Sequence, residues 1–178
     1  WNGDTHASWK SFRQQIPSGL NYMATGNPYW TVDVGSFFTK SGGRWFYKGE
    51  FPDGVKDDAY KEYYVRMFQW ATFLPMLRSH GSDTPREVWR FGDSTEYSAA
   101  IISSLQARYA MVPYIYSLAA MQASGNYTMA RPLAFDYPAD DAVLDIKDQY
   151  MFGDSIMVCP VTEERVHDEN DCYVMSTK

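Results

Sequence analysis

Cysteine and histidine are scarce in this chain, and basic clusters and long apolar runs are missing. Two cysteines, Cys159 and Cys172, are too few for a disulfide framework or a cysteine-rich zinc site. Cys159 sits inside the apolar run Ser155-Ile156-Met157-Val158-Cys159 and is expected to be a buried free thiol. Only three histidines occur, and none makes the paired spacing of a metal-dependent hydrolase, so His6 is not read as half of a metal site. The net charge is −6, and no run of lysine or arginine interleaves with aromatics, which excludes a phosphate-tracking surface and with it nucleic acid as a partner. No apolar stretch approaches the roughly 20 residues that span a bilayer. The first residues lack the charged and apolar regions of a signal peptide. A soluble chain is expected, periplasmic or secreted if a signal precedes it and cytoplasmic otherwise.

What the chain has in quantity is aromatic residues, 17% of the total with 14 tyrosines and 6 tryptophans. Most are expected to pack a core, which a hydrophobic content of 45% makes large enough for one domain or a domain plus a piece. Aromatic rings also stack on the apolar faces of sugars while their polar atoms bond hydroxyls. Composition alone leaves both uses open.

Periodicity and turn chemistry order the chain as alternating helix and strand, without internal repeats. A helix is predicted over 6–15, capped by Asp4 or Thr5 and stopped by Pro17-Ser18-Gly19. After the Gly26-Asn27-Pro28 turn, Tyr29-Trp30-Thr31-Val32-Asp33 reads as a strand ending in a carboxylate, with Trp30 in the core. Residues 36–57, rich in glycine and aromatics, are too long for a bare connector and are expected to be a functional loop. Tyr60, Tyr64, Met67, Phe68 and Ala71 give one apolar face to a helix over 58–70. A second strand, 73–77, delivers Arg78-Ser79-His80-Gly81, and a loop through Thr84-Pro85-Arg86 leads to a long helix over 96–124, kinked near Pro113 and closed by Gly125. Strands follow at 128–137 and 150–161. Gly92-Asp93 and Gly153-Asp154 read as turns, and Asn126-Tyr127-Thr128 fits a glycosylation sequon of chance-level weight.

Strand, loop, helix, repeated, implies parallel pairing with right-handed crossovers, hence an α/β sheet or barrel. In a (β/α)8 barrel the active site lies at the carboxyl ends of the strands, where Asp33, Arg78 and His80 would converge with Asp4 beside them. Such barrels need about 250 residues, so the chain reads as part of one.

The ordered runs WNGD, PYWTVDVGSFF, FLPMLRSHG, RYAMVPYIYSLA and MFGDSIMVCPV resemble the C-terminal part of the catalytic barrel of glycoside hydrolase family 31. The resemblance covers nearly the whole chain and fades from about Glu163 to Lys178. It implies a partial (β/α)8 TIM barrel, residues 1–126, followed by the first strands of a C-terminal β-sandwich domain, residues 127–178. It also implies a retaining exo-acting α-glycoside hydrolase, an enzyme without cofactor or metal, whose partners are an oligosaccharide substrate and the rest of the same polypeptide.

By the same resemblance Asp4 matches the general acid/base, and Trp1 an aromatic walling the pocket of the cleaved sugar. Arg78 and His80 form the arginine-x-histidine motif whose histidine bonds that sugar's hydroxyls. Asp33 matches a strand-end carboxylate, and Phe37 an aromatic close to the sugar ring. Each has a plainer alternative: Asp4 as a helix cap, Asp33 bonding its own turn, Arg78 orienting carboxylates, Trp1 and Phe37 as packing. The family's aspartate nucleophile lies on an earlier strand and has no counterpart here, so this chain alone is expected to be inactive. An aromatic rim at Phe37-Phe38 and Arg44-Trp45-Phe46-Tyr47 favours α-xylosidase over α-glucosidase, because xylose lacks an exocyclic carbon. A transglycosylase using the same intermediate, or a carbohydrate-binding module without turnover, are the alternatives.

Overall fold

The computed structural model describes residues 1–42, 44–125, 128–167 and 173–174. The helices are α1 (Trp9–Ala24), α2 (Asp58–Ala71), α3 (Glu96–Ala110), α4 (Val112–Ala123) and the single turn α5 (Leu133–Asp136). The strands are β1 (Ala130–Pro132), β2 (Tyr150–Phe152), β3 (Ile156–Val158), β4 (Val166–His167) and β5 (Tyr173–Val174). Among the described residues no helix is long and apolar enough to cross a membrane. Cys172 and the Asn126-Tyr127 part of the sequon lie outside the described residues, as does most of the tail.

Helix α1 starts later and runs further than its sequence pattern predicts. Its cap is Ser8, whose Oγ accepts from the Ser11 amide at 3.1 Å, so neither Asp4 nor Thr5 caps it. Pro17 lies inside the helix rather than at its stop. A proline here removes one backbone hydrogen bond, and the buried row Phe12, Ile16, Leu20 and Met23 carries the helix past it by packing. Helix α2 matches its pattern within a residue, with Asp57 accepting from the Ala59 amide at 2.9 Å. The long helix breaks at Met111, where Pro113 opens α4.

The runs expected as strands at 29–33 and 73–77 are extended segments joined by isolated parallel contacts. Val34 pairs with Ser79 and His6 with Phe38, the Met76 amide donates to the Trp30 carbonyl at 3.2 Å, and the Phe38 amide donates to the Thr5 carbonyl at 3.0 Å. Three segments, 5–7, 30–38 and 76–79, therefore lie side by side in parallel, the pairing that strand–helix alternation predicts. Trp30 is buried, as expected.

Downstream the order is antiparallel, β1-β2-β3, with Ala130 opposite Phe152 and Tyr150 opposite Val158. The predicted strand at 128–137 is only three residues long, because Pro132 ends it and caps α5. The predicted strand at 150–161 folds back at Gly153, whose φ of 63° suits a tight turn. Strand alternation then corrects the expectation for Cys159. Val158 points into the core, whereas Met157 and Cys159 are exposed, so Cys159 is not a buried thiol.

One core joins all of this. Trp9, Phe12, Tyr63 and Trp70 pack α1 against α2 with ring centroids 5.3 to 6.2 Å apart. The sheet is tied on by polar bonds: Tyr150 donates to the Phe73 carbonyl at 2.9 Å, Tyr114 to the Phe152 carbonyl at 2.9 Å, and Arg13 to the Thr162 carbonyl at 3.0 Å.

Candidate active site

The candidate residues lie at the carboxyl ends of segments 30–38 and 76–79 and in the turn that enters segment 5–7. Asp33 is fully buried, and its Oδ1 accepts from Arg78 Nε at 2.8 Å and from Arg78 Nη2. Its Oδ2 is buried and has no hydrogen-bond partner among the described residues. The Arg78 guanidinium, in turn, lies 5.3 Å from the centre of the Trp1 ring, a cation–π contact. Trp1 is 59% exposed.

Two residues beyond Arg78, His80 is exposed, and its ring lies 5.5 Å from that of Phe37. Phe37 packs edge-on against Phe38 at 4.7 Å. Asp4 is also exposed, directly before the pairing of Thr5 with Phe38, which places it beside the carboxyl end of segment 30–38. Gly3, with φ of 80°, makes the turn between Trp1 and Asp4. Asp4 has no hydrogen-bond or ion-pair partner among the described residues. A cavity of about 410 Å³ opens beside His80, lined by Gly81, Thr84, Arg86 and Glu87.

Helix α2 holds these ends in place with tyrosines. Tyr60 donates to the Gly35 carbonyl at 3.1 Å, Tyr63 bonds Ser36 Oγ at 2.8 Å, and Tyr64 donates to Ser79 Oγ at 2.9 Å. One helix face thus fixes both the turn after Asp33 and the step between Arg78 and His80. Burial pushes all three phenols above their ordinary range, so each stays neutral. Gly35 is required by this contact: with φ of 83°, a Cβ there would lie 2.5 Å from Tyr60 Oη and from Tyr64 Cδ2. Tyr63, three residues after Tyr60, falls on the same face and is fully buried, although the face read in the sequence leaves it out.

Sequence reasoning also missed Asp83 and Arg86. The Asp83 carboxylate accepts from the Thr39 amide at 3.0 Å, from Thr39 Oγ1 at 2.8 Å and from the Lys40 amide at 3.0 Å. Arg86 donates to the carbonyls of Ser36 and Thr84. Their only sequence signal was a proline-containing stretch that reads as a connector. The aromatic loop at 36–57 is tied in as well. Ser41 pairs with Lys48, Tyr47 packs on Phe38 at 4.2 Å, and Trp45 at the tip is 82% exposed.

Comparison with known proteins agrees with this geometry. Residues 1–118 match the model of the glycosyl hydrolases family 31 TIM-barrel domain, and residues 126–176 that of the glycosyl hydrolase family 31 C-terminal domain. An alpha-xylosidase of Saccharolobus solfataricus is 44% identical over 91% of this chain and 20% of its own length. The neutral alpha-glucosidase C of Mus musculus is 31% identical over 92% of this chain and 16% of its own. A crystal structure of a GH31 alpha-xylosidase from a soil metagenome, complexed with xylose, superposes with a TM-score of 0.79 at 29% identity, covering 92% of this chain and 25% of that one. The chain therefore spans a quarter or less of the length of these relatives. Its ordered motifs, parallel segments and family matches together place it in glycosyl hydrolase family 31, as part of the TIM-barrel domain followed by part of the C-terminal domain.

Proposed function

We propose that the protein carrying this chain is a retaining, exo-acting α-glycoside hydrolase that removes terminal α-linked sugars from oligosaccharides, with xylose preferred to glucose. Residues 1–126 form the C-terminal part of its barrel and residues 127–178 the first strands of the β-sandwich. The observation that carries the reading is the convergence of Trp1, Asp33, Phe37, Arg78 and His80, with Asp4 adjacent, at the carboxyl ends of segments 30–38 and 76–79. Active sites of (β/α)8 barrels lie at that end.

In this mechanism two carboxyl groups stand about 5 to 5.5 Å apart, one attacking the anomeric carbon and the other handling the proton. Asp4 is the second. It gives its proton to the leaving oxygen, then takes one from the water that cleaves the glycosyl ester. Its freedom from helix capping supports this role, since Ser8 caps α1 instead. The first carboxylate is supplied by a strand outside this sequence. His80, exposed beside Phe37, offers a donor and an acceptor to sugar hydroxyls, and Phe37 and Trp1 wall the ring. Arg78 is fixed from two sides, by Asp33 and by Trp1, and holds positive charge at the pocket edge. Asp33 itself is buried behind the guanidinium, so its part is to orient Arg78. The preference for xylose is supported by the higher identity to the Saccharolobus alpha-xylosidase, 44% against 31% for the mouse alpha-glucosidase.

The test is leaving-group dependence in the full-length protein. Asp4→Asn is expected to slow hydrolysis of xylose-terminated oligosaccharides by about a thousandfold or more, and of aryl xylosides with good leaving groups far less, because the latter need little proton donation. An equal loss on both substrates would remove Asp4 from the acid role. No turnover of any α-glycoside by the wild type would favour a binding module.

A further inference from the structure

Two charged side chains, Asp83 and the cavity-lining Arg86, converge on the short turn that carries Phe37. Ser36 takes φ of 60°, a left-handed conformation that a residue with a Cβ seldom adopts without outside support. On one side of it, Tyr63 bonds the Ser36 hydroxyl at 2.8 Å. On the other, Arg86 Nη2 donates to the Ser36 carbonyl and, at 3.4 Å, to the Phe37 carbonyl, while the Ser82 amide reaches the Phe37 carbonyl at 3.1 Å. Asp83 then closes the turn. Its two carboxylate oxygens take the amides of Thr39 and Lys40 and the hydroxyl of Thr39, all within 3.0 Å. Gly81 leaves room for this arrangement, since a Cβ there would lie 2.1 Å from Arg86 Nη2.

Apart from the Tyr63 bond, these run between 82–86 and 36–40, and only Gly81 separates the first of those segments from His80. The backbone that bears the histidine therefore also sets where Phe37 stands against it, at a ring separation of 5.5 Å. We propose that Asp83 and Arg86 are positioning residues for sugar recognition, holding Phe37 at a fixed distance from His80 so that the pocket discriminates at the sugar's exocyclic carbon. The inference rests on the glycosidase reading above. Neither residue needs to touch the sugar; both act through the turn. A phenylalanine held on a strained turn by charged hydrogen bonds is a stiff wall, and a stiff wall is what rejects a ligand larger by one hydroxymethyl group.

The experiment is a double-mutant cycle in the full-length protein, reading kcat and KM on aryl α-xyloside and aryl α-glucoside. Asp83→Asn is expected to raise KM for the xyloside about tenfold, to change kcat by less than about threefold, and to narrow the preference between the two sugars. In a Phe37→Ala background the same substitution should change KM little, because the residue it works through is gone. Thr39→Val, which removes one hydroxyl bond and keeps the backbone, should shift the preference the same way by a smaller step even if Asp83→Asn folds poorly. Full additivity with Phe37→Ala, or an Asp83→Asn enzyme whose KM values for both sugars match the wild type, would overturn the proposal. A wild type active on α-glycosides with such an additive cycle refutes the positioning role alone, whereas a wild type inactive on every α-glycoside refutes the glycosidase reading beneath it.

Discussion

At the scale of single residues, the Asp33–Arg78 pair shows how a charge can be placed at a pocket without being left free. Asp33 is wholly buried, and a buried carboxylate is costly unless it is paired. Arg78 supplies two donors to one of its oxygens, while 40% of the arginine side chain remains exposed. The planar guanidinium does a second task by lying against Trp1. A lysine cannot combine a forked hydrogen bond with ring stacking. Arg78→Lys is therefore expected to lower kcat/KM by about a hundredfold, a change near 3 kcal/mol in transition-state binding, with a drop in thermal midpoint from the weakened hold on Asp33. Steady-state kinetics and a melting curve on the same sample check this, and an unchanged kcat/KM with only a lower midpoint would assign the pair to stability alone. Two separate motifs in the sequence named these residues, and an Arg78 that orients carboxylates was among the readings, yet which carboxylate it bonds was not legible, because the pairing spans 45 positions and depends on how two segments align.

At the scale of elements, what the sequence yielded followed from how local the signal was. Helix α2 and the break between α3 and α4 were readable because an apolar spacing of three and four residues and a proline are both local signals. The extent of α1 was not, since burial of Ile16, Leu20 and Met23 outweighs the signal of Pro17. Nor was the exposure of Cys159, which depends on which neighbour β3 pairs with rather than on the apolar run around it. The support of the site escaped for the same reason. Asp83 finds Thr39 and Tyr63 finds Ser36 only after folding. Helix α2 also illustrates an element holding the C-terminal segment through charge. Glu62, nearly buried, accepts from the Arg165 amide at 3.2 Å and pairs with Arg165 at 3.4 Å and Arg66 at 3.8 Å, while Arg165 also reaches Glu96. Burial raises the Glu62 carboxyl above its ordinary 4.5, and the arginines only partly oppose it. A carboxyl whose folded value is raised favours folding most below the unfolded value and loses that contribution as pH rises through the folded one. Relative to Glu62→Gln, which cannot ionise, the wild type is thus expected to lose stability as pH climbs from about 4.5 toward neutrality. Melting curves of both proteins across that range are the check, and a wild type that gains on the variant with rising pH would mean that the arginine pairs dominate.

At the scale of the whole molecule, the distribution of exposed apolar surface says which faces need company. Helix α4 carries no charged residue, and across α3 and α4 the side chains of Ile102, Tyr109, Val112 and Tyr116 are exposed, the two tyrosines by 75% and 77%. A helix apolar on every side is a core helix, and a patch of this kind marks an interface. The chain spans 20% of the length of its Saccharolobus relative, and a barrel helix is covered by the helices beside it. Together these lead to a comparison between the 178-residue chain and the full-length protein. In the isolated chain Tyr109 and Tyr116 should be labelled rapidly by a tyrosine-nitrating reagent. The chain should also bind an apolar dye, elute above its 20.5 kDa monomer mass and hydrolyse no α-glycoside. In the full-length protein the same two tyrosines should be protected. Equal labelling in both would show the α3–α4 face to be open surface in the full-length protein, and measurable turnover by the isolated chain would show that the attacking carboxylate lies within this sequence.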